Sequence, residues 1–122
     1  MTNHNGDINI AKQLIYIAYN AGCDFVKLQK RTVESVYTEE ELDKPRESPW
    51  GTTAREQKVG LEFTFEDLKK LDAYCNGKLP WFASPWDIKS VFLINQFDIP
   101  FIKIPSALIT DFNLIRLCLA QS

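Results

Sequence analysis

The sequence predicts an α/β fold in which parallel strands alternate with helices. Three observations predict it. Short apolar runs at 24–29, 81–84 and 101–104 have the length and bounding residues of strands. Amphipathic stretches at helical spacing stand on either side of those runs. The order is helix, strand, long loop, helix, strand, helix, strand, helix, and such repeated βα alternation implies a parallel sheet with right-handed crossovers.

The N-terminal stretch supports the first helix. Asn5-Gly6-Asp7 is a turn followed by a cap. Ala11, Leu14, Ile15, Ala18 and Ala21 recur at helical spacing until Gly22 stops the run, which gives a helix over 7–21. A strand follows over 24–29. Val26 and Leu28 share one of its faces, while Lys27 and Gln29 share the other with Phe25 below them. A long segment over about 30–63 comes next. Within it Thr38 to Leu42 suits one helical turn and Thr53 to Gly60 a short helix, with Pro45 and Pro49 breaking anything longer. Trp50, Phe63 and Phe65 argue that this segment is ordered.

From Thr64 the pattern is regular. Thr64 and Asp67 form a capping box, Leu68, Leu71, Tyr74 and Cys75 make an apolar stripe, and Asn76-Gly77 ends the helix. Trp81-Phe82-Ala83-Ser84 is the second strand, closed by Pro85. Asp87 opens a helix expected to bury Ile88, Val91, Phe92 and Phe97. Phe101-Ile102-Lys103-Ile104 is the third strand, stopped by Pro105-Ser106. Thr110 or Asp111 caps a last helix in which Leu114, Ile115 and Cys118 face inward.

Composition narrows the function classes. A chain of 122 residues with 45% hydrophobic and 25% charged residues forms one small soluble domain. A net charge of −2 leaves no electrostatic footprint for nucleic acid. No apolar run is long enough to span a membrane, and residues 1–7 lack the regions of a signal peptide, so the expected location is the cytoplasm. Cys23, Cys75 and Cys118 are read as reduced core thiols. The single histidine, His4, is expected at the surface and cannot build a metal site alone. Glu39-Glu40-Glu41 is read as a solvated face, and Trp81 and Trp86 as core.

The chemistry concentrates at the ends of the strands. In parallel α/β folds the C-terminal strand ends lie on one edge, where ligands bind. Lys27 and Gln29 end the first strand, Ser84 the second, and Lys103 and Ser106 the third. Two ammonium groups in one pocket repel by about 2 kcal/mol at about 8 Å and an effective dielectric near 20. A polyanion between them relieves that repulsion, and hydroxyls and helix N-termini suit phosphate oxygens. The pattern points to a small phosphorylated, carboxylated ligand. Two plainer readings stand beside it: a strand-end lysine is commonly a rim residue, and Ser84-Pro85 and Pro105-Ser106 also suit turns.

At these residues the sequence resembles the sialic acid (N-acetylneuraminate) synthases with their legionaminate and pseudaminate relatives. The matching pieces are Asn3-His4-Asn5-Gly6-Asp7, Lys27-Leu28-Gln29-Lys30-Arg31, Asp43-Lys44-Pro45-Arg46, Pro49-Trp50-Gly51, Trp81-Phe82-Ala83-Ser84-Pro85-Trp86-Asp87 and Lys103-Ile104-Pro105-Ser106-Ala107. The resemblance implies that residues 1–122 are part of a (β/α)8 TIM barrel, about its second to fourth strands with flanking helices. It implies that the segment 30–63 lies on the active-site side. It implies condensation of phosphoenolpyruvate with an N-acetylated sugar such as N-acetylmannosamine, giving a nine-carbon 2-keto sugar acid and phosphate. Lys27 and Lys103 would then hold the phosphate and carboxylate of phosphoenolpyruvate, Ser84 and Ser106 would add hydroxyls, and Gln29 would lie near the sugar. The family uses a divalent metal, Mn2+ or Mg2+, whose histidine ligands have no counterpart in this sequence. The family's first strand, with its catalytic acid, precedes the Asn-His motif and has no counterpart either. Leu108 stands where many members carry Glu. The expectation is therefore a chain inactive by itself, with a homodimer as one way to cover its sheet. A Schiff-base aldolase using Lys27 or Lys103 and a non-catalytic α/β binding module are the alternatives.

Overall fold

Asp7 and Gly22 set the two ends of the first helix. The structure, a computed structural model, describes His4 and residues 6–121. Helix α1 spans Ile8–Asn20, and the Asp7 carboxylate accepts from the backbone N–H groups of Asn9 and Ile10. These are two of the donors that a helix start leaves without partners. Gly22 then turns the chain at φ +83°, a conformation that costs glycine nothing. Asn3, Asn5 and Ser122, which the sequence reading also used, lie outside the described residues.

Strand β1, Val26–Lys30, pairs in parallel with a later strand, Trp81–Pro85. In register, Val26 lies beside Trp81, Leu28 beside Ala83, and Gln29 beside Ser84. The expected third strand is reduced to one parallel bridge between Ala83 and Ile102, backed by a 3.0 Å hydrogen bond from Lys103 N–H to the Ala83 carbonyl. Pro100 and Pro105 bracket that segment, and neither has an N–H to extend a ladder.

The long segment is more structured than its sequence suggested. It holds two single-turn helices, α2 (Val33–Val36) and α3 (Glu39–Leu42). An antiparallel hairpin of β2 (Pro45–Ser48) and β3 (Gly51–Thr53) follows, then helix α4 (Ala54–Leu61). Thr38 and Thr53 cap α3 and α4 through their hydroxyls. Trp50 lies flat against α4 at Gly60, where an added Cβ would meet its ring at 2.2 Å. Only glycine admits the indole at that distance.

Helix α5, Phe65–Cys75, opens with the expected capping box: Thr64 accepts from Asp67 N–H and Asp67 from Thr64 N–H. It leads to the strand Trp81–Pro85, which is β4. Helix α6, Ile88–Ile94, is capped by Asp87, and α7, Phe112–Gln121, by Asp111. Between them Ser106–Leu108 makes one 3-10 turn.

The core lies on one face of the sheet. Ala11 and Ile15 of α1, Leu68, Leu71 and Cys75 of α5, and Ile94 of α6 pack with Val26, Leu28, Trp81 and Ala83. A smaller cluster joins Val91 of α6 to Leu114 and Cys118 of α7, with Ile102 and Ile104 against it. Trp81 is buried as expected and donates its indole N–H to Asp72 at 2.7 Å.

Several expectations change. Ile88 and Phe92 are exposed, because α6 presents Ser90, Val91 and Ile94 to the sheet. Cys23 is exposed beyond the end of α1, while Cys75 and Cys118 are buried. Burial pushes the Cys75 thiol up to about 11, with Asp72 adding to the shift, so this thiol stays protonated and inert. His4 is not at the surface. It stacks on Phe63 with ring centroids 4.0 Å apart, and its Nδ1 accepts from Gly6 N–H at 2.9 Å.

Candidate functional site

The second face of the sheet carries the residues of interest. Side chains alternate along a strand, so Phe25, Lys27 and Gln29 fall opposite Val26 and Leu28. Register places Phe82 beside Lys27 and Ser84 beside Gln29. The bridge at Ile102 sets Phe101 and Lys103 on that face as well.

Two layers result. The lower one is aromatic: Phe82 lies 4.5 Å from Phe101 and 6.1 Å from Phe25, and Phe25 lies 5.2 Å from Phe101, ring centre to ring centre. Phe25 and Phe101 remain 41% and 46% exposed, so this layer is open on the side away from the helices. Gln29, Ser84 and Lys103 stand above it at the strand ends, and Lys27, beside Phe82 in register, stands above Phe25.

Lys27 and Lys103 meet. Burial lowers the Lys27 pKa first; the charge of Lys103 and its hydrogen-bonding proximity lower it further. Each cause disfavours the protonated amine. Ser84 is buried beside the half-buried Gln29, whose amide hydrogen-bonds to nothing among the described residues. Ser106 is the exception. It is exposed at the start of the 3-10 turn, and its hydroxyl makes no hydrogen bond among the described residues. The structure thus brings four of the five residues to one sheet end and leaves Ser106 at the rim of that end.

Asp87 holds this sheet end to the long segment. Its carboxylate accepts from the backbone N–H and the hydroxyl of Thr32, and from the N–H and hydroxyl of Ser90. The Trp86 N–H donates to the Lys30 carbonyl at 2.9 Å in the same junction. The sequence identified Asp87 as a helix cap and missed this second role. Thr32, two residues past the strand, gave no signal of it.

Arg31, directly after β1, is tied to the long segment. Its Nε donates to Glu62 at 2.6 Å and its Nη1 to the Tyr37 hydroxyl at 2.6 Å. Lys58 sits over the same tyrosine ring, 4.4 Å from its centre.

Among the described residues, no three His, Cys, Asp or Glu side chains gather as metal ligands. No helix among them is long and apolar enough to cross a membrane.

Parallel strands, helices on one face and two lysines brought together at the sheet end define the class: an α/β protein of parallel strands and helices. The particular family follows from comparison. Residues 14–122 match the NeuB family, and the chain belongs to it. It is similar to N-acetylneuraminate-9-phosphate synthase of Drosophila melanogaster, 34% identical over 117 residues, which covers 93% of this chain and 32% of that protein. It is also similar to N,N'-diacetyllegionaminic acid synthase of Campylobacter jejuni, 33% identical over 124 residues, covering 93% of this chain and 35% of that one. The fold matches a sialic acid synthetase from Leptospira borgpetersenii, solved in complex with citrate. There the TM-score is 0.81 at 21% identity, over 98% of this chain and 39% of the other. The chain spans about a third of the length of the curated relatives it matches.

Proposed function

We propose that this chain supplies the phosphoenolpyruvate-binding part of a sialic-acid-type synthase. Its sheet is read as an arc of a (β/α)8 barrel, with the Phe25, Phe82 and Phe101 layer facing the barrel interior and the segment 30–63 on the active-site side. Residues 1–122 act as one partial barrel domain in this reading. The observation that carries it is the meeting of Lys27 and Lys103. Two amines brought together at the end of a parallel sheet repel each other, and a dianion between them would relieve that repulsion.

Lys27 and Lys103 bind and orient the phosphate and carboxylate of phosphoenolpyruvate. Ser84 donates its hydroxyl beside them, and Ser106 closes on the same anion from the rim. Gln29 is left to hydrogen-bond the acceptor sugar. The enol carbon forms a bond to the aldehyde carbon of that sugar, whose oxygen takes up a proton. Water adds to the resulting cation with loss of a proton, and phosphate leaves. The residues of this chain hold the anion and screen its charge as the cation forms. The family resemblance implies a divalent metal that polarises the aldehyde. The described residues do not fit such a site, so no step is drawn through one.

The acceptor is read as a 2-acetamido aldose. The names of the relatives divide on its state: some are 9-phosphate synthases and others name no phosphate. Three carbons of the product come from phosphoenolpyruvate, so a phosphate on C9 stood on C6 of the acceptor, at the end remote from the aldehyde.

The test is a titration of the protein with phosphoenolpyruvate, followed by calorimetry. Binding that weakens steeply with salt, and that weakens about 10- to 100-fold in Lys27→Met and in Lys103→Met, is expected. An unchanged affinity in both variants would overturn the reading.

A second reading has one observation in its favour. The lowered pKa of Lys27 also suits a Schiff-base nucleophile. Borohydride with a 2-keto acid leaves a stable adduct on Lys27 only if that reading holds.

A further inference from the structure

We propose that neutral His4 is a positioning residue: it clasps the turn before α1 to the end of α4, and so holds Glu62 on the Lys30–Arg31 end of β1, in a clasp that acid opens. The clasp itself stands on contacts within the chain. Its consequence for ligand binding rests on the phosphoenolpyruvate reading of Lys27 and Lys103.

Two contacts close the clasp. The His4 ring stacks on Phe63, with centroids 4.0 Å apart and planes 23° apart. Two residues on, Gly6 takes φ +71° and runs so close to α4 that an added Cβ would stand 1.9 Å from the Gly60 carbonyl oxygen. Only glycine combines that backbone with that approach. His4 and Phe63 are 4% and 6% exposed, so little of the stack meets water. Helix α4 ends at Leu61, between the two contacts, and Glu62 comes directly before Phe63. The Glu62 carboxylate accepts from the backbone N–H of Arg31 at 3.1 Å and from its Nε at 2.6 Å, and lies 3.5 Å from the Lys30 ammonium. Lys30 is the last residue of β1, on the strand that carries Lys27. The turn, the end of α4 and the end of the strand thus form one line of contacts.

The protonation state of the ring decides whether the clasp holds. Nδ1 accepts from Gly6 N–H at 2.9 Å, so the neutral ring carries its proton on Nε2. A proton on Nδ1 sets a donor against a donor and places a charge on a buried ring. Among the described residues, each carboxylate at the start of α1, on and just after α4, and at the start of α5 already has a partner. Asp7 accepts from Asn9 and Ile10, Glu56 from Thr53, and Glu62 from Arg31. Glu66 pairs with Lys69, and Asp67 accepts from Thr64. The cations of α1 and α4 point to other partners: Lys12 to Tyr74, Arg55 to Glu34 and Lys58 to Tyr37. Burial first, and the charge of the amino terminus second, lower the His4 pKa from its ordinary value of 6.5. The open form therefore takes up the proton before the closed form does, and closure weakens as pH falls from 6.5 through the folded value.

The chain has one histidine, so a single imidazole signal reports the ring. Two amides report the two ends of the clasp: Gly6 N–H, which donates to His4, and Arg31 N–H, which donates to Glu62. The test follows all three by NMR, as the imidazole titration and amide protection factors, from about pH 8 to about pH 5 in the full chain and in His4→Phe. The expected His4 midpoint lies below 6.5. Protection at Gly6 and at Arg31 should fall about fivefold or more with that same midpoint, the scale of one hydrogen bond. His4→Phe keeps a ring for Phe63 and cannot titrate, so its Arg31 protection should stay level. A midpoint at or above 6.5, or an equal acid loss in both proteins, overturns the clasp. Loss at Gly6 with Arg31 still protected overturns the positioning role. Phosphoenolpyruvate titrations over the same range read the consequence: affinity should fall about fivefold more in the parent than in His4→Phe, since protonation of the ligand is common to both. Failure of the phosphoenolpyruvate reading looks different, as absent binding at every pH beside an unaltered His4 midpoint and unaltered amide protection.

Discussion

The Lys27–Lys103 pair and the Arg55 group treat charge in opposite ways. At Arg55 one guanidinium gathers Glu34, Glu39 and Asp43 on the protein surface, and every partner raises its pKa. At the sheet end two amines meet, and each cause that shifts Lys27 lowers its pKa. The first arrangement is complete within the chain and holds α2, α3 and α4 together. The second sets two like charges side by side at the end of the sheet. Opposite charges gathered on one guanidinium tie elements of the fold together, whereas like charges brought together are what the proposed anion site needs.

The largest effect should come from breaking the second arrangement. Lys27→Met is expected to weaken phosphoenolpyruvate binding by about 10- to 100-fold, the scale of a lost charged hydrogen bond. It should also stabilise the unliganded fold. The folded pKa of Lys27 lies below its ordinary value of 10.5, so folding a protonated Lys27 carries a penalty. That penalty is fully present below the folded pKa and disappears as pH rises through it towards 10.5. Urea midpoints of the parent should therefore rise with pH across that alkaline window, and those of Lys27→Met should not. A parallel pH dependence in both proteins would show that Lys103 does not press on Lys27.

Asp87 sharpens the comparison from the side of the acids. It is a buried carboxylate answered by four neutral donors, two on Thr32 and two on Ser90. Asp87→Asn keeps the shape but turns one oxygen into a donor that faces donors. A loss of about 2 kcal/mol in unfolding free energy is expected. Hydrogen exchange should quicken first at Thr32 and in the segment after it, because that junction ties the segment to β4. Exchange that quickens evenly across the molecule would assign Asp87 to α6 alone.

The regular half of the fold was legible because local chemistry decides it. The strands at Val26 and Trp81, the caps at Asp7, Thr64, Asp87 and Asp111, and the paired lysines can all be read from neighbouring residues. His4 could not be read, because its burial depends on Phe63, far along the chain. Cys23 reads as apolar by type, yet the turn at Gly22 carries it off the packed face. The third strand failed for a similar reason: its pattern is strand-like, but prolines at both ends confine pairing to Ile102. The hairpin at Pro45–Thr53 was hidden by its prolines, although Pro49-Trp50 is a turn between its two arms. Within the site, Lys27, Gln29, Ser84 and Lys103 share a face by strand periodicity alone. Arg31, Tyr37 and Lys58, past the strand, meet only because the folded segment brings them together.

The smallest effect is expected where charge is most fully answered. Arg55 is half-buried but all three of its acids are exposed, so solvent and salt screen each pair. Arg55→Ala should leave phosphoenolpyruvate affinity unchanged and lower thermal stability only slightly at low salt. In high salt the difference from the parent should vanish, because screening already removes what the substitution removes. The same salt increase weakens anion binding at Lys27 and Lys103, so one titration series reads both regions at once. If Arg55→Ala instead reduced anion affinity as much as Lys27→Met does, the ion pairs of the long segment would be setting the geometry of the sheet end, and opposite-charge and like-charge groups would no longer separate fold from site.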